Sequence, residues 1–433
     1  MNQIPYQKSM GGIVAMLPDG RVELLKPEFE DTITSLHNQD ITITDIDFDS
    51  YILEESVVDL NKFHLSSPVI AFIEITNLCN LRCKHCYADS AVKRPNEMST
   101  EEIFSLIDQL ADMGVLQVFL TGGEVFSHKD AVPIIRHAMS KPFLTQVFTN
   151  GLLITEEKLA QLPPGVSFFI SFDTADPERT IRGGMDFPKL RKRFEWMDKY
   201  GHSLRTAISV HRNNLDDVEE IFQWCVDNGY PRPQWLETHP IGRALLHPDI
   251  LLQQEDIDKV FDIYKRCMDR FSQGPDDQDL STADAEDEIY SVQTINFAQR
   301  LEEATGQEKC GRSVVYINSS GNTYPCSNCM SNGMYLGGNI KEDPFQLIWE
   351  DGFDDFRSIT FDDFKSCQNC EIYQSDIWCQ FRCPPLAKNV SKDELGCGAT
   401  EYIKQFMLLT RGYWEERQKN ELGLTLIGKR SEY

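Results

Sequence analysis

The sequence predicts an α/β protein: a sheet of six parallel strands covered by helices, preceded by a short separate element and followed by a small cysteine-rich domain. Three observations lead there. Apolar runs of strand length alternate with helical patterns from residue 69 to 240, as repeated strand–helix units do. Eight of the 13 cysteines fall between 310 and 397, in a stretch with little periodic structure. Residues 1–66 follow neither pattern.

The N-terminal element contains apolar runs at 13–17 and 22–25 joined by Pro18-Asp19-Gly20, a hairpin signal. A short helix near 29–36 and an alternating strand over 41–48 are expected next. The strands of the main unit are predicted at 69–75, 116–120, 144–148, 166–172, 204–210 and 234–236. Helices are predicted between them, near 100–113, 130–139, 156–162, 187–200 and 215–228. Six units fit an open doubly wound sheet or an incomplete barrel, and both place a site at the C-terminal ends of the strands. Residues 272–288 carry seven acids and no Lys or Arg, which reads as an exposed linker. An amphipathic helix over 402–416 is expected near the end. The resulting division is 1–66, 67–245, 246–308 (helical and acidic linker), 309–400 (cysteine-rich domain) and 401–433 (helix and tail).

Composition narrows the function. Hydrophobic residues make up 41% of the 433 and charged residues 25%, the balance of a folded globular chain. A net charge of −26 argues against nonspecific binding to nucleic acid or anionic lipid. No apolar run approaches a membrane span and no secretory signal opens the chain, so a cytoplasmic location is expected. Disulfides rarely persist there, and 13 cysteines point instead to metal or cluster ligation. Cys225 and Cys267 are isolated, on predicted helices, and read as buried structural thiols.

Cys79, Cys83 and Cys86 form a CxxxCxxC triplet directly after the first strand of the main unit. Chance would produce such a triplet about once per hundred chains of this composition. Three thiolates suit a four-iron cluster with one open iron, whereas a structural zinc site wants four ligands. The segment CNLRCKHCY resembles the signature of the radical S-adenosylmethionine (SAM) superfamily. That resemblance implies a partial (β/α)6 barrel and a cluster whose open iron takes the amino and carboxyl groups of SAM. One-electron reduction then yields a 5′-deoxyadenosyl radical that abstracts hydrogen from the substrate. No further catalytic side chain is assigned.

The resemblance extends along the strand ends. Gly122-Gly123-Glu124 matches the family's GGE motif near the methionine ammonium, and Tyr87, like His85, falls where adenine contacts occur. Ser171 and Asp173 match an S-x-D motif. Arg182 stands where relatives place an Arg for the methionine carboxylate, and Asn150 lies in a fitting turn.

The C-terminal cysteines resemble the SPASM domain, which binds two auxiliary clusters. By that resemblance Cys310, Cys326 and Cys383 hold one, and Cys367, Cys370, Cys379 and Cys397 the other. Cys329 is an additional thiol that either completes the first cluster or stays free. Eight residues separate Cys370 from Cys379 where the family usually has five. Zinc is the competing reading for the CxxC pairs taken alone.

SPASM-bearing relatives are mostly peptide or protein modifiers. The segments MGVLQVFLTGGEVFSH, IGRALLHP and CGRSVVYINSSGNTYPC look most like thioether-forming, sactipeptide-type maturases. Ser327 replaces the Asp that sulfatase maturases usually carry after the second SPASM cysteine, which disfavours that activity. The implied partners are a precursor peptide and a low-potential donor of flavodoxin or ferredoxin type; the run Lys189, Arg191, Lys192 and Arg193 reads first as a solvated helix face, with a basic docking patch for the donor as the alternative. Carbon–carbon crosslinking, epimerisation and tetrapyrrole modification are the alternatives within the family, and a non-catalytic iron–sulfur protein the alternative outside it. Residues 1–66 show little room for the three helices of a winged-helix-like peptide-recognition domain.

Overall fold

The computed structural model describes residues 4, 6–9, 12–17, 22–37, 46–52, 64–176, 178–271, 309–359, 363–364, 366–367, 369–374, 384–386, 395 and 397–422. The chain opens with an antiparallel meander of β1 (Tyr6–Ser9), β2 (Gly12–Met16) and β3 (Val22–Leu25), then α1 (Phe29–His37). The predicted hairpin pairs Ile13 with Leu25 and Val14 with Leu24; β1 was not foreseen, because its YQKS sequence has no apolar run. The strand expected over 41–48 lies mostly outside the described residues, and Phe48 opens a 3-10 turn to Tyr51.

Six parallel strands follow in chain order: β4 (Ile70–Glu74), β5 (Gln117–Thr121), β6 (Leu144–Thr149), β7 (Ser167–Ser171), β8 (Ser203–Val210) and β9 (Gln234–Glu237). Between them run α2 (Thr100–Asp112), α3 (Ala131–Met139), α4 (Glu156–Ala160), α5 (Phe187–Lys199) and α6 (Leu215–Asp227), with α7 (Ile257–Phe271) after β9. Local sequence sets the helix starts. Ser99 and Glu102 form a reciprocal capping box on α2, and Thr155 and Asp186 cap α4 and α5. The convex face of the sheet, with Ile73, Leu120, Val147, Ile170 and Ile208, packs on Leu106, Ile134, Leu190, Phe222 and Ile263 of the helices in one buried cluster. Each such side chain contributes about 1.5–3 kcal/mol by leaving water. Cys225 and Cys267 are fully buried within α6 and α7.

On the concave face an aromatic row crosses five strands. Tyr316, Phe72, Phe119, Phe148 and Phe169 follow one another with ring centroids 6.2, 4.6, 5.2 and 4.9 Å apart. Below it, Val14, Met16, Val22 and Leu24 of the meander pack on Val69, Ile70, Leu116 and Val314 at the strands' N-terminal ends. The opposite edge is left for chemistry.

The cysteine-rich segment is more integrated than its weak periodicity implies. It begins with β10 (Val314–Ile317), which pairs in parallel with β4, Val314 opposite Ile70 and Ile317 opposite Ile73. With β11 (Asn322–Tyr324) and β12 (Gly338–Asn339) it extends the same sheet, in the order β12-β11-β10-β4-β5-β6-β7-β8-β9. The sheet does not close into a barrel. Short helices α8 (Ser327–Asn332), α9 (Phe345–Asp351), α10 (Asp354–Arg357) and α11 (Glu371–Gln374) follow. Phe345, Ile348, Trp349 and Phe353 belong to the main core, so this region does possess apolar support. Arg357 is buried against the rings of Trp349 and Phe353 and donates to the carbonyls of Gly311, Trp349 and Glu350. The last helix, α12 (Glu401–Leu422), is longer than predicted and packs on α7. The acidic segment 272–288 lies outside the described residues. Among the described residues no helix is long and apolar enough to cross a membrane.

Candidate functional site

The triplet lies on the loop leaving β4. This loop is fixed from three sides by backbone contacts that only certain residues permit. Gly123 N donates to Thr76 O and Glu124 N to Leu78 O. A Cβ on Gly122 would sit 2.3 Å from Thr76 O, and one on Gly123 2.6 Å from Asn77 O and Leu78 O. Gly122 also holds φ +148°. The glycines therefore seat the β5 end against the chain just before Cys79. On a second side, Arg82 N and Lys84 N donate to Gly183 O and Ile181 O. On the third, Gly242 approaches Tyr87, where a Cβ would lie 2.4 Å from the carbonyl oxygen.

Arg243 completes the clamp. Its guanidinium donates to Cys83 O (2.7 Å), Ser90 O (2.7 Å) and the Asp89 carboxylate (2.8 Å), and its backbone N–H to Cys86 O. Backbone amides also point at two sulfurs: Leu81 N at Cys79 Sγ (3.4 Å) and Ser90 N at Cys86 Sγ (3.3 Å). Burial pushes the Cys83 thiol up to about 12, so a nearby positive centre is needed to hold it as a thiolate. The three thiols are within electrostatic reach of one another. Among the described residues no three Cys, His, Asp or Glu side chains meet around a single metal ion.

Beside the loop, at the ends of β7 and β8, the other candidates converge unevenly. Arg182 is buried and donates to Asp173 Oδ1 (2.7 Å) and Ser209 Oγ (3.1 Å). Against the cost of burial, this guanidinium holds the Asp173 carboxyl below its ordinary value. His85 Nε2 lies 3.3 Å from Ser209 Oγ, and burial lowers the ring to about 3, leaving it neutral. His85 Nδ1, Asp173 Oδ2 and Arg182 Nε are buried with no hydrogen-bond partner. Three such atoms in one place fit a polar ligand that supplies their missing bonds. Ser171 is half-buried at the last position of β7.

Glu124, assigned to SAM by the resemblance, also ties strand ends together. It is buried, and its carboxylate accepts from Thr149 Oγ1 (2.6 Å), Asn150 N (2.7 Å) and Phe126 N (3.0 Å). These bonds tie the end of β5 to the end of β6, and Asn150 Nδ2 in turn donates to Asn80 Oδ1 (2.9 Å) inside the loop. Glu124 thus positions the site from within. Tyr87 reaches Tyr316 of β10, hydroxyl to hydroxyl at 3.1 Å, and Tyr316 donates to the buried Glu74 (3.5 Å).

Of the C-terminal cysteines, Cys310, Cys326 and Cys329 share one packed cluster with Tyr87 and Tyr316, so this group faces the β4 loop. Cys326 and Cys329 sulfurs are 3.7 Å apart. Cys367 is buried, and Cys370 and Cys397 are half-buried. Cys379 and Cys383 lie outside the described residues. Sequence reasoning missed Ser209 and Glu74 and assigned Arg243 no role, although the IGRALLHP segment that contains it stood out after the sixth strand.

Residues 73–225 match the model of the radical SAM superfamily. That segment is a radical SAM domain. Residues 309–371 match the SPASM iron–sulfur cluster-binding domain, so this radical SAM enzyme uses SAM and carries four-iron clusters in both parts. It is 31% identical over 196 residues to the antilisterial bacteriocin subtilosin biosynthesis protein AlbA of Bacillus subtilis (strain 168), a match that spans 43% of each chain. It is 27% identical to the AdoMet-dependent heme synthase of Nitratidesulfovibrio vulgaris (strain Hildenborough), over 76% of this chain and 91% of that one. The fold superposes on Streptococcus suis SuiB bound to precursor peptide SuiA with a TM-score of 0.68 and 15% identity, covering 93% of this radical SAM chain and 99% of SuiB.

Proposed function

We propose that this radical SAM enzyme modifies a ribosomally made precursor peptide, forming a thioether between a cysteine sulfur and a carbon. The observation that carries the reading is the meeting of the clamped Cys79–Cys83–Cys86 loop with three buried, unpartnered polar atoms on His85, Asp173 and Arg182. Cys79, Cys83 and Cys86 hold the SAM-binding cluster, and the atoms beside them bind and orient SAM. The bound group supplies reductive cleavage of SAM and removal of a hydrogen atom from the substrate. Arg243 and Glu124 keep the loop in place. Arg182, already paired with Asp173, keeps its Nε for the ligand. Tyr87, Gly122, Gly123, Asn150 and Ser171 line or shape the same site. The C-terminal cysteines hold two auxiliary clusters. Thioether formation removes a hydrogen atom from carbon, a proton from the thiol and one electron, and an auxiliary cluster is a suitable electron acceptor. AlbA supports the peptide reading by its part in subtilosin biosynthesis. Residues 67–245 form the catalytic unit and 309–400 the auxiliary one, and an acidic low-potential donor meets the basic residues near Lys189.

The test is anaerobic reconstitution with about twelve irons per chain. SAM should be cleaved to 5′-deoxyadenosine with a low-potential reductant, and replacing Cys79, Cys83 and Cys86 by Ala should abolish this. A cysteine-bearing precursor should lose two mass units. Unchanged cleavage in the triple variant would overturn the site assignment. A second reading, modification of a tetrapyrrole side chain, is favoured by the match to 91% of the heme synthase. A porphyrin product with no peptide mass change would establish it.

A further inference from the structure

A cavity of about 600 Å³ wraps around β9, the terminal strand of the sheet among the described residues. It has two halves. One lies beside the β4 loop, with His85, Tyr87, Ser209 and Ser327. The other lies beneath α12, walled by Trp235, Tyr264, Ile403, Phe406 and Met407. The halves differ in face because strand residues alternate. Ser209 pairs with Leu236 on the concave side, while Trp235 and Glu237 turn to the convex side, where Trp235 meets Tyr264 (5.3 Å) and Phe406 (6.2 Å). Tyr402 of α12 donates to Glu237 at 3.3 Å.

Between the halves runs a strand edge that no described residue pairs. Thr238 N donates to Val210 O. By the alternation of a parallel ladder, Trp235 and Glu237 therefore turn their backbone N–H and C=O away from β8. No described residue bonds those groups, and Leu236 is 40% exposed. The strand is only four residues long and is bounded by Pro233 and Pro240, which protects it from indiscriminate pairing. A short segment still fits.

We propose that the half of the cavity beneath α12 is a specificity pocket for one apolar side chain, aromatic or leucine-like, of an extended substrate peptide whose backbone pairs with that edge of β9. This rests on the peptide-substrate reading above and names how the peptide is selected. An added strand projects successive side chains to opposite faces. With the apolar anchor under α12, the residue next to it points to the half beside His85 and Ser209. The anchor therefore selects its neighbour for reaction. Burial raises the Glu237 carboxyl to about 7, so the acid in this wall is uncharged below neutrality, which suits an apolar occupant.

The experiment uses the full-length reconstituted protein with SAM and a decapeptide library randomised around a fixed cysteine. Captured peptides should be enriched at least five-fold in Leu, Phe or Trp at one position adjacent to the cysteine. Thr410→Trp, which fills the pocket, should remove the enrichment, and Phe406→Ala should shift it to larger rings. Should either variant fail to fold, photo-leucine at the enriched position of a captured peptide should crosslink wild-type protein within residues 403–410. Capture without a positional preference, a preference unchanged in both variants, or crosslinking elsewhere overturns the pocket. Capture of no peptide by protein that cleaves SAM sinks the peptide reading and the pocket with it.

Discussion

Arg243 donates from its guanidinium to the carbonyl oxygen of Cys83 at 2.7 Å, across 160 residues of chain. One side chain from just beyond β9 thus fixes the middle cysteine of the triplet. Replacing it leaves two part-buried carbonyls without their donor, at about 1.5–3 kcal/mol each, while the exposed Asp89 carboxylate turns to water. Arg243→Lys cannot reach all three acceptors with one ammonium. Iron at the triplet and the rate of 5′-deoxyadenosine formation should both fall at least ten-fold. Iron analysis of the variant checks this directly.

Gly122→Ala should destabilise the protein by at least about 2 kcal/mol, because the new methyl meets Thr76 O in a backbone conformation that disfavours side chains. Chemical denaturation measures the loss. An unchanged midpoint would show that the β5 end does not need close approach.

Arg357→Met should loosen the auxiliary unit. It leaves two buried carbonyls and one part-buried carbonyl unpaired and removes a cation from beside two rings, a loss of about 3 kcal/mol or more. Iron content should fall toward that of the triplet cluster alone, with SAM cleavage largely kept.

Glu74 gives a pH signature. Burial, only partly offset by Arg94, raises its carboxyl from 4.5 to about 7. A raised acid keeps its proton longer in the folded chain. Its contribution to stability is fully present below the unfolded value and declines as pH rises to about 7, by up to about 3 kcal/mol. Glu74→Gln should flatten the stability profile between pH 5 and 7. A parallel decline in both proteins would place the effect elsewhere.

Much of this architecture could be read in advance. β4, β5 and β7 are nearly continuous apolar runs because both faces are covered, by helices on one side and the aromatic row on the other. The residues at their ends were visible as breaks in those runs. What escaped was nonlocal. Nothing within Val314–Ile317 announces that it pairs with β4, since parallel pairing leaves no turn signal. The inward direction of Glu124 depends on Thr149 and Asn150, supplied by another strand. Gln117, Gln146 and Ser167 form a buried hydrogen-bonded row across three strands, although each alone reads as a surface residue. Cys329 was flagged as an extra thiol, and its close approach to Cys326 makes it part of the same cluster of side chains.

The pairing of β10 with β4 makes the two iron-bearing parts behave like pages sewn into one spine. The ladder fixes the Cys310–Cys326–Cys329 group relative to the β4 loop. The opposite margin of the sheet, where Tyr402 of α12 meets Glu237 of β9, has no such ladder among the described residues.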